Sequence, residues 1–347
     1  MIDNSMLTKH QKAAVDLIRN DLRLMTTIFD NPTTIKANSV CAFLPYMGLI
    51  VDGVENWVKR FNNSSKEKLA MPLFDGEEKD LYTQMREAIK FWESPYPVVF
   101  RKLGQAYSAS EEYFANCCKP IAKALKLYDV FGVDIINDKC CGNTILYGCY
   151  IPNYMYSDVK ANGEKLYKLS MIAGQYVAAF EVTEKYPVSH ATEMTTQDYG
   201  GLIKSPVGKS FSDNFVLLSL LGQINYLIQV IDGFIIPETT SKLRLAYLLY
   251  YDVLSILPEI NCKLSTSFAI DDRWGSRLFR DSMAHYGIGV DLRCESDFVD
   301  DDPLYGLTQK YFDIDYYSLK AEMFTCLASL ARQLEKYLRI DKGLFHF

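Results

Sequence analysis

Residues 214–232 read NFVLLSLLGQINYLIQVID, a run so apolar that it must be covered either by protein or by lipid. A bilayer is spanned by about 20 such residues, so length alone permits a membrane helix. Gln223, Asn225 and Gln229 inside the run, with Asp213 and Asp232 at its ends, are costly in hydrocarbon and favour a buried core helix. Ser212 or Asp213 can cap it, and Gly233 and Pro237 end it. A helix apolar on every face needs neighbours on every face. The sequence downstream supplies them: TSKLRLAYLLYYDVLSIL, stopped by Pro258; a third helix from about Ile270; and a last one from about Asp315 to Arg339. Residues 206–347 are therefore predicted to form an antiparallel bundle of four main helices.

Upstream, residues 1–132 also read as helical. The first helix, from about Met6 to Phe29, places Leu7, Ala14, Ile18, Leu22, Met25 and Phe29 on one face. A second is expected to follow Pro45 and run to about Phe61. A third, from about Glu77 to Trp92, opens after Asp75-Gly76 and is ended by Pro95 and Pro97. Residues 109–130 look helical again, divided by Pro120. From 133 to 205 the pattern changes: turn signals fall at Gly142-Asn143, Pro152-Asn153, Asn162-Gly163 and Gly200-Gly201, with a β-prone run, TILYGCYI, and one helix, LYKLSMIAGQYVAAFEV. This segment reads as a small β or loop insertion, and His190 in it as a plain surface histidine. The expected fold class is mainly α, in three segments bounded at 132 and 205.

At 347 residues the chain can bury a substantial core. Its net charge of −6 argues against a generally basic surface, so any nucleic-acid site has to be local. Nine cysteines with no C-x-x-C spacing point to reduced, mostly buried thiols, Cys140, Cys141 and Cys149 being the set a metal would use otherwise. No cofactor and no metal is expected. The opening MIDNSMLTKHQKAAVDLIRND shows no apolar signal-peptide region, so the expected location is the cytoplasm, with no membrane partner expected.

The chemistry concentrates in RLFRDSMAHYGIGV, residues 277–290. On a helix, Arg273, Arg277 and Arg280 project within roughly 60° of each other. Such a cationic stripe faces either solvent or an anion, and Asp271, Asp272 and Asp281 could neutralise part of it. His285 follows Arg280 by five residues, and Gly287 and Gly289 then end the helix. At that terminus the helix dipole favours a cationic imidazolium. A proton-shuttling histidine beside a phosphate-neutralising arginine is the minimum apparatus for metal-free RNA cleavage by 2′-hydroxyl attack. One histidine cannot easily be both acid and base in a single step, and a dimer would bring a second.

FRDSMAHYG resembles the R-x4-6-H motif of the HEPN superfamily, α-helical ribonuclease domains of toxin-antitoxin, abortive-infection and CRISPR-associated systems. The resemblance implies Arg280 as motif arginine, Asp281 as the polar residue that commonly follows it, and His285 as catalytic histidine, with apolar Phe279 ahead. It further implies a homodimer acting on single-stranded RNA or transfer RNA in a defence or toxin role, with an antitoxin or sensor partner. Arg273, Arg277 and Tyr286 are then assigned to substrate binding, with structural ion pairing the alternative for the two arginines. The match covers one motif and a compatible helical arrangement over 206–347, and nothing in residues 1–205. A second reading is a catalytically inactive HEPN-like binding or sensor module. The acidic run DFVDDDP, residues 297–303, would repel RNA and reads as a solvated loop.

Overall fold

The first helix, α1 (Lys9–Phe29), begins where Thr8 accepts a hydrogen bond from the Gln11 amide at 3.3 Å while the Gln11 side chain accepts one from the Thr8 amide at 2.9 Å. This reciprocal cap satisfies two otherwise orphaned donors. The computed structural model describes residues 7–65, 68–72, 74, 76–151, 158–189, 193–201, 203–208 and 210–340, with backbone only at 32–37, 39, 159 and 295. His190 and Pro152-Asn153 lie outside the described residues.

The protein is mainly α with one small sheet, as the sequence predicts. Several boundaries differ. The second helix, α2 (Pro32–Ser64), starts well before Pro45 and runs through it, and α9 (Thr240–Leu264) likewise runs through Pro258. A mid-helix proline costs about 3 kcal/mol in isolation. Here Phe43, Leu44, Tyr46 and Met47 on one helix, and Ile256, Leu257 and Ile260 on the other, are buried around it, and that burial outweighs the lost hydrogen bond. After α3 (Gly76–Glu87) and a short 3-10 turn, α4 (Tyr96–Cys117) starts between the two prolines expected to end its predecessor, and α5 (Pro120–Ala124) follows.

The sheet begins at Asp129, ahead of the boundary expected at 132 and within the stretch 109–130 expected to be helical. Strands β1 (Asp129–Ile136) and β2 (Lys139–Asn143) form a hairpin across Asn137-Asp138, whose φ values of 50° and 59° suit a two-residue turn of the primed type. Strand β3 (Thr195–Gly200) pairs with the other edge of β1, giving an antiparallel order β2-β1-β3. TILYGCYI is not a strand: Asn143 accepts a hydrogen bond from the Leu146 amide at 2.9 Å and caps α6 (Thr144–Cys149). The cap decides against the β propensity of the run. LYKLSMIAGQYVAAFEV lies in and just past α7 (Val159–Ala179).

The apolar run forms α8 (Asp213–Tyr226), continued by a π-helical turn over Leu227–Asp232. Among the described residues it is the one helix long and apolar enough to cross a bilayer, and 83% of it is buried within the fold. It lies against β2 backbone to backbone: a Cβ on Gly222 would stand 2.7 Å from the Gly142 Cα. After the short α12 (Leu307–Phe312), the last helix, α13 (Tyr316–Leu338), is capped by Asp315. The described residues of 206–347 thus form three long helices, α8, α9 and α13, with the third predicted helix reduced to α10 (Arg277–Ala284). Its start moves from Ile270 to Arg277 because Asp272 and Gly275 close a turn and Ser276 takes the cap, accepting from the Phe279 amide at 3.3 Å. One continuous apolar core runs from Ala13 to Ile340 through all three segments.

Candidate functional site

Helix α10 is anchored by Phe279, which meets the rings of Tyr247 at 4.6 Å and Phe312 at 4.9 Å. That anchoring turns Arg280 inward. Its side chain is 14% exposed, ion-paired to Glu93 and to Asp281 at 2.9 Å, and stacked over Tyr251. The buried Asp252 carboxyl lies in the same cluster; burial and the nearby Glu93 push its pKa well above the ordinary carboxylate range, Arg280 opposing. Two acids already neutralise this guanidinium. Arg273 sits outside the helix, in the preceding turn, paired with Asp271 and Glu322 at 2.8 and 2.7 Å. Arg277, at the first helical position, is exposed. The three arginines therefore form no stripe.

His285 caps the C-terminus of α10 and leads into α11 (Ile288–Asp291). It is half-buried, and its pKa lies below the ordinary histidine value: burial lowers it most, Arg86 and Arg60 lower it further, and Asp281 opposes. The helix terminus by itself predicts an imidazolium there. Burial and two guanidiniums outweigh the weak dipole of an eight-residue helix, and the ring is neutral near pH 7.

Tyr286 is held in a different network. Its hydroxyl donates to Asp21 at 2.6 Å, and Asp21 also accepts from Ser241 at 2.6 Å and from the buried guanidinium of Arg244. Arg244 in turn donates to the Met283 carbonyl at 2.9 and 3.1 Å. This fully partnered cluster ties α1, α9 and the end of α10 together in the interior, so the Tyr286 hydroxyl is committed to the fold. The ring of Tyr286 packs on Gly53, where a Cβ would meet it at 2.8 Å.

Beside that ring opens a cavity of about 280 Å³. Three elements build it. Helix α2 contributes Gly53, Asn56, Trp57, Arg60, Phe61 and Ser64, a spacing of three and four that marks one helical face. Helix α1 contributes His10, Gln11 and Ala14, and the turn from α10 into α11 contributes His285 and Gly287, with Gly289 from α11 itself. Trp57 and Phe61 stack at 5.4 Å, forming an aromatic wall. His10 is fixed by a 2.5 Å hydrogen bond between Nε2 and the Leu292 carbonyl and by an edge contact with Phe298, which makes Nε2 the donor and leaves Nδ1 free. Arg60 is exposed and pairs with no carboxylate among the described residues. Nearby, Arg86 is paired with Asp52 at 2.8 Å. Among the described residues no aspartate or glutamate lines the cavity, in a chain of net charge −6.

The structure brings His285 to a site, then, but in company the sequence did not name. His10 and Arg60 lie hundreds of positions from it in the chain; only the α2 face carried a readable signal, since glycine, asparagine, tryptophan and arginine at helical spacing are unusual core residues. Among the described residues no group of three histidine, cysteine, aspartate or glutamate side chains is arranged to hold a metal ion. All nine cysteines are free thiols, and burial pushes Cys140 up to about 12. The chain matches no protein-family profile, no curated protein and no solved structure.

Proposed function

We propose that the cavity lined by His10, Arg60 and His285 is the active site of a metal-independent endoribonuclease. The observation that supports this reading is the convergence in one cavity of two imidazoles and a guanidinium that, among the described residues, pairs with no carboxylate and has none beside it in the lining. In the proposed step, neutral His285 takes the proton of a ribose 2′-hydroxyl as its oxygen attacks the adjacent phosphorus. The bond from phosphorus to the 5′-oxygen breaks, and His10, protonated at Nδ1, gives that oxygen its proton, leaving a 2′,3′-cyclic phosphate. Arg60 neutralises the charge that builds on the phosphoryl oxygens. An unstacked base can lie on Trp57, the usual way single-stranded RNA is held. With two histidines in one chain, a second copy is not required for the acid-base pair. The HEPN resemblance extends the reading to a homodimeric toxin or anti-phage role in the cytoplasm, with transfer RNA or single-stranded RNA as target.

The test is incubation with transfer RNA and total RNA in EDTA, followed by end-group analysis. Cleavage to cyclic phosphate ends by the unaltered chain is expected, with a loss of about 100-fold or more in His285→Ala, in His10→Ala and in Arg60→Gln, the range over which one acid-base or charge-stabilising group acts. Full cleavage by both histidine variants would sink the assignment. A second reading, the inactive binding module, is favoured by the engagement of Arg280 with Glu93 and Asp281. It predicts RNA binding that Arg60→Gln weakens, with no cleavage by any form.

A further inference from the structure

Helix α5 is the one α-helix that buries none of its residues, among those whose side chains are fully described. It follows α4 at a corner of the fold, where Ile121 is 75% exposed, Leu125 63% and Leu127 41%, and Ile203 beyond β3 is 49% exposed. A scattered surface leucine needs no explanation; three protruding aliphatics within seven residues do. Lysines alternate with them. Lys119, Lys123 and Lys126 are exposed along the same stretch, and Lys204 follows Ile203. Leu125, Lys126 and Lys204 share the rim of one cavity, which places the two basic-apolar segments side by side. Of the lysines, Lys126 meets Glu111 at 3.6 Å, and Lys123 donates to the neutral Asn116 at 2.8 Å. Asp129 is exposed nearby. The patch stays cationic in a chain that is anionic as a whole.

We propose that this corner docks the protein onto an anionic lipid surface. Aliphatic side chains that stand out from the protein are shaped to enter the acyl boundary, and lysine stems let the ammonium groups remain among headgroup phosphates and carboxylates. Charge also selects among occupants. A second copy meeting this patch face to face would set lysine against lysine, whereas an anionic headgroup layer satisfies them all. The contact is peripheral and independent of the RNA cavity, which is built from α1, α2 and the turn after α10.

Flotation of the intact chain with phosphatidylcholine vesicles, with and without phosphatidylserine, tests it. The chain should float with the phosphatidylserine vesicles alone and be released by added salt, and Lys119→Gln and Lys123→Gln should each weaken binding about fivefold. The double variant Ile121→Ser with Leu125→Ser should abolish flotation. Because those side chains are exposed, its circular dichroism should match that of the unaltered chain, and the lysine variants provide a check that touches no apolar contact. Absence of phosphatidylserine-dependent flotation, or flotation unchanged in the double serine variant, overturns the proposal and assigns the patch to a protein partner.

Discussion

Arg280 shows why a motif arginine has to be judged by its partners. Its side chain is mostly buried between Glu93 and Asp281, with Asp252 behind. Removing one member of a buried ion pair costs about 3–5 kcal/mol, and because the Glu93 side chain is 35% exposed we expect Arg280→Gln to lower stability by a smaller amount, about 2 kcal/mol. Urea denaturation measures this; a variant as stable as the parent would mean that the arginine is free for a ligand. His285 carries the opposite lesson, since burial and neighbouring guanidiniums keep it neutral. Folded, it binds a proton less readily than the unfolded chain does at about 6.5, so its contribution to stability is complete above that pH and is lost as pH falls below it and through the lower folded value. His285→Gln should flatten the acid side of the stability profile between pH 7 and 5. In the cleavage reading the same shift places the rising limb of the rate profile below pH 6.5.

At the scale of elements, local signals governed most starts and packing governed several stops. Thr8, Asn143, Ser276 and Asp315 each cap a helix through a side-chain oxygen, whereas Ser212, at the start of α8 where the sequence predicts a cap, makes no such bond. The hairpin turn at Asn137-Asp138 rests on two residue types that tolerate positive φ, a weaker local signal than the glycine pairs nearby. Pro45 and Pro258 mislead, because local rules place a helix boundary where burial on both sides holds the helix together. The seam between α8 and β2 is the most demanding contact in the fold. Gly222 faces Gly142, itself at φ 142° with the Tyr147 hydroxyl where a Cβ would point. Backbone cannot yield as a side chain tip does, so Gly222→Ala should destabilise by about 3 kcal/mol or more. Thermal unfolding would show it as a lowered midpoint; an unchanged midpoint would mean that the helix and strand can separate without loss.

For the molecule as a whole, the decisive fact is one core. Asp21 of α1 reaches Ser241 and Arg244 of α9, the Trp92 indole donates to Gln223 of α8, and Lys139 of β2 pairs with Glu335 of α13 at 2.8 Å. These contacts cross both segment boundaries suggested by the sequence. Residues 1–205 produced alone should therefore lack a cooperative unfolding transition, since β2 loses α8 and α1 loses α9. Sharp, protected unfolding of that fragment by calorimetry or hydrogen exchange would show instead that the segment folds independently. By itself the sequence determined the helical class and the buried status of the 214–232 run, because those rest on periodicity and on the few polar side chains that interrupt an apolar stretch. Only the tertiary structure decided that Arg280 is engaged by acids, that Tyr286 is locked to Asp21, and that His10 and Arg60 join His285 around one cavity. Those outcomes depend on which distant charge or ring arrives beside each residue, and distance along the chain carries no information about that.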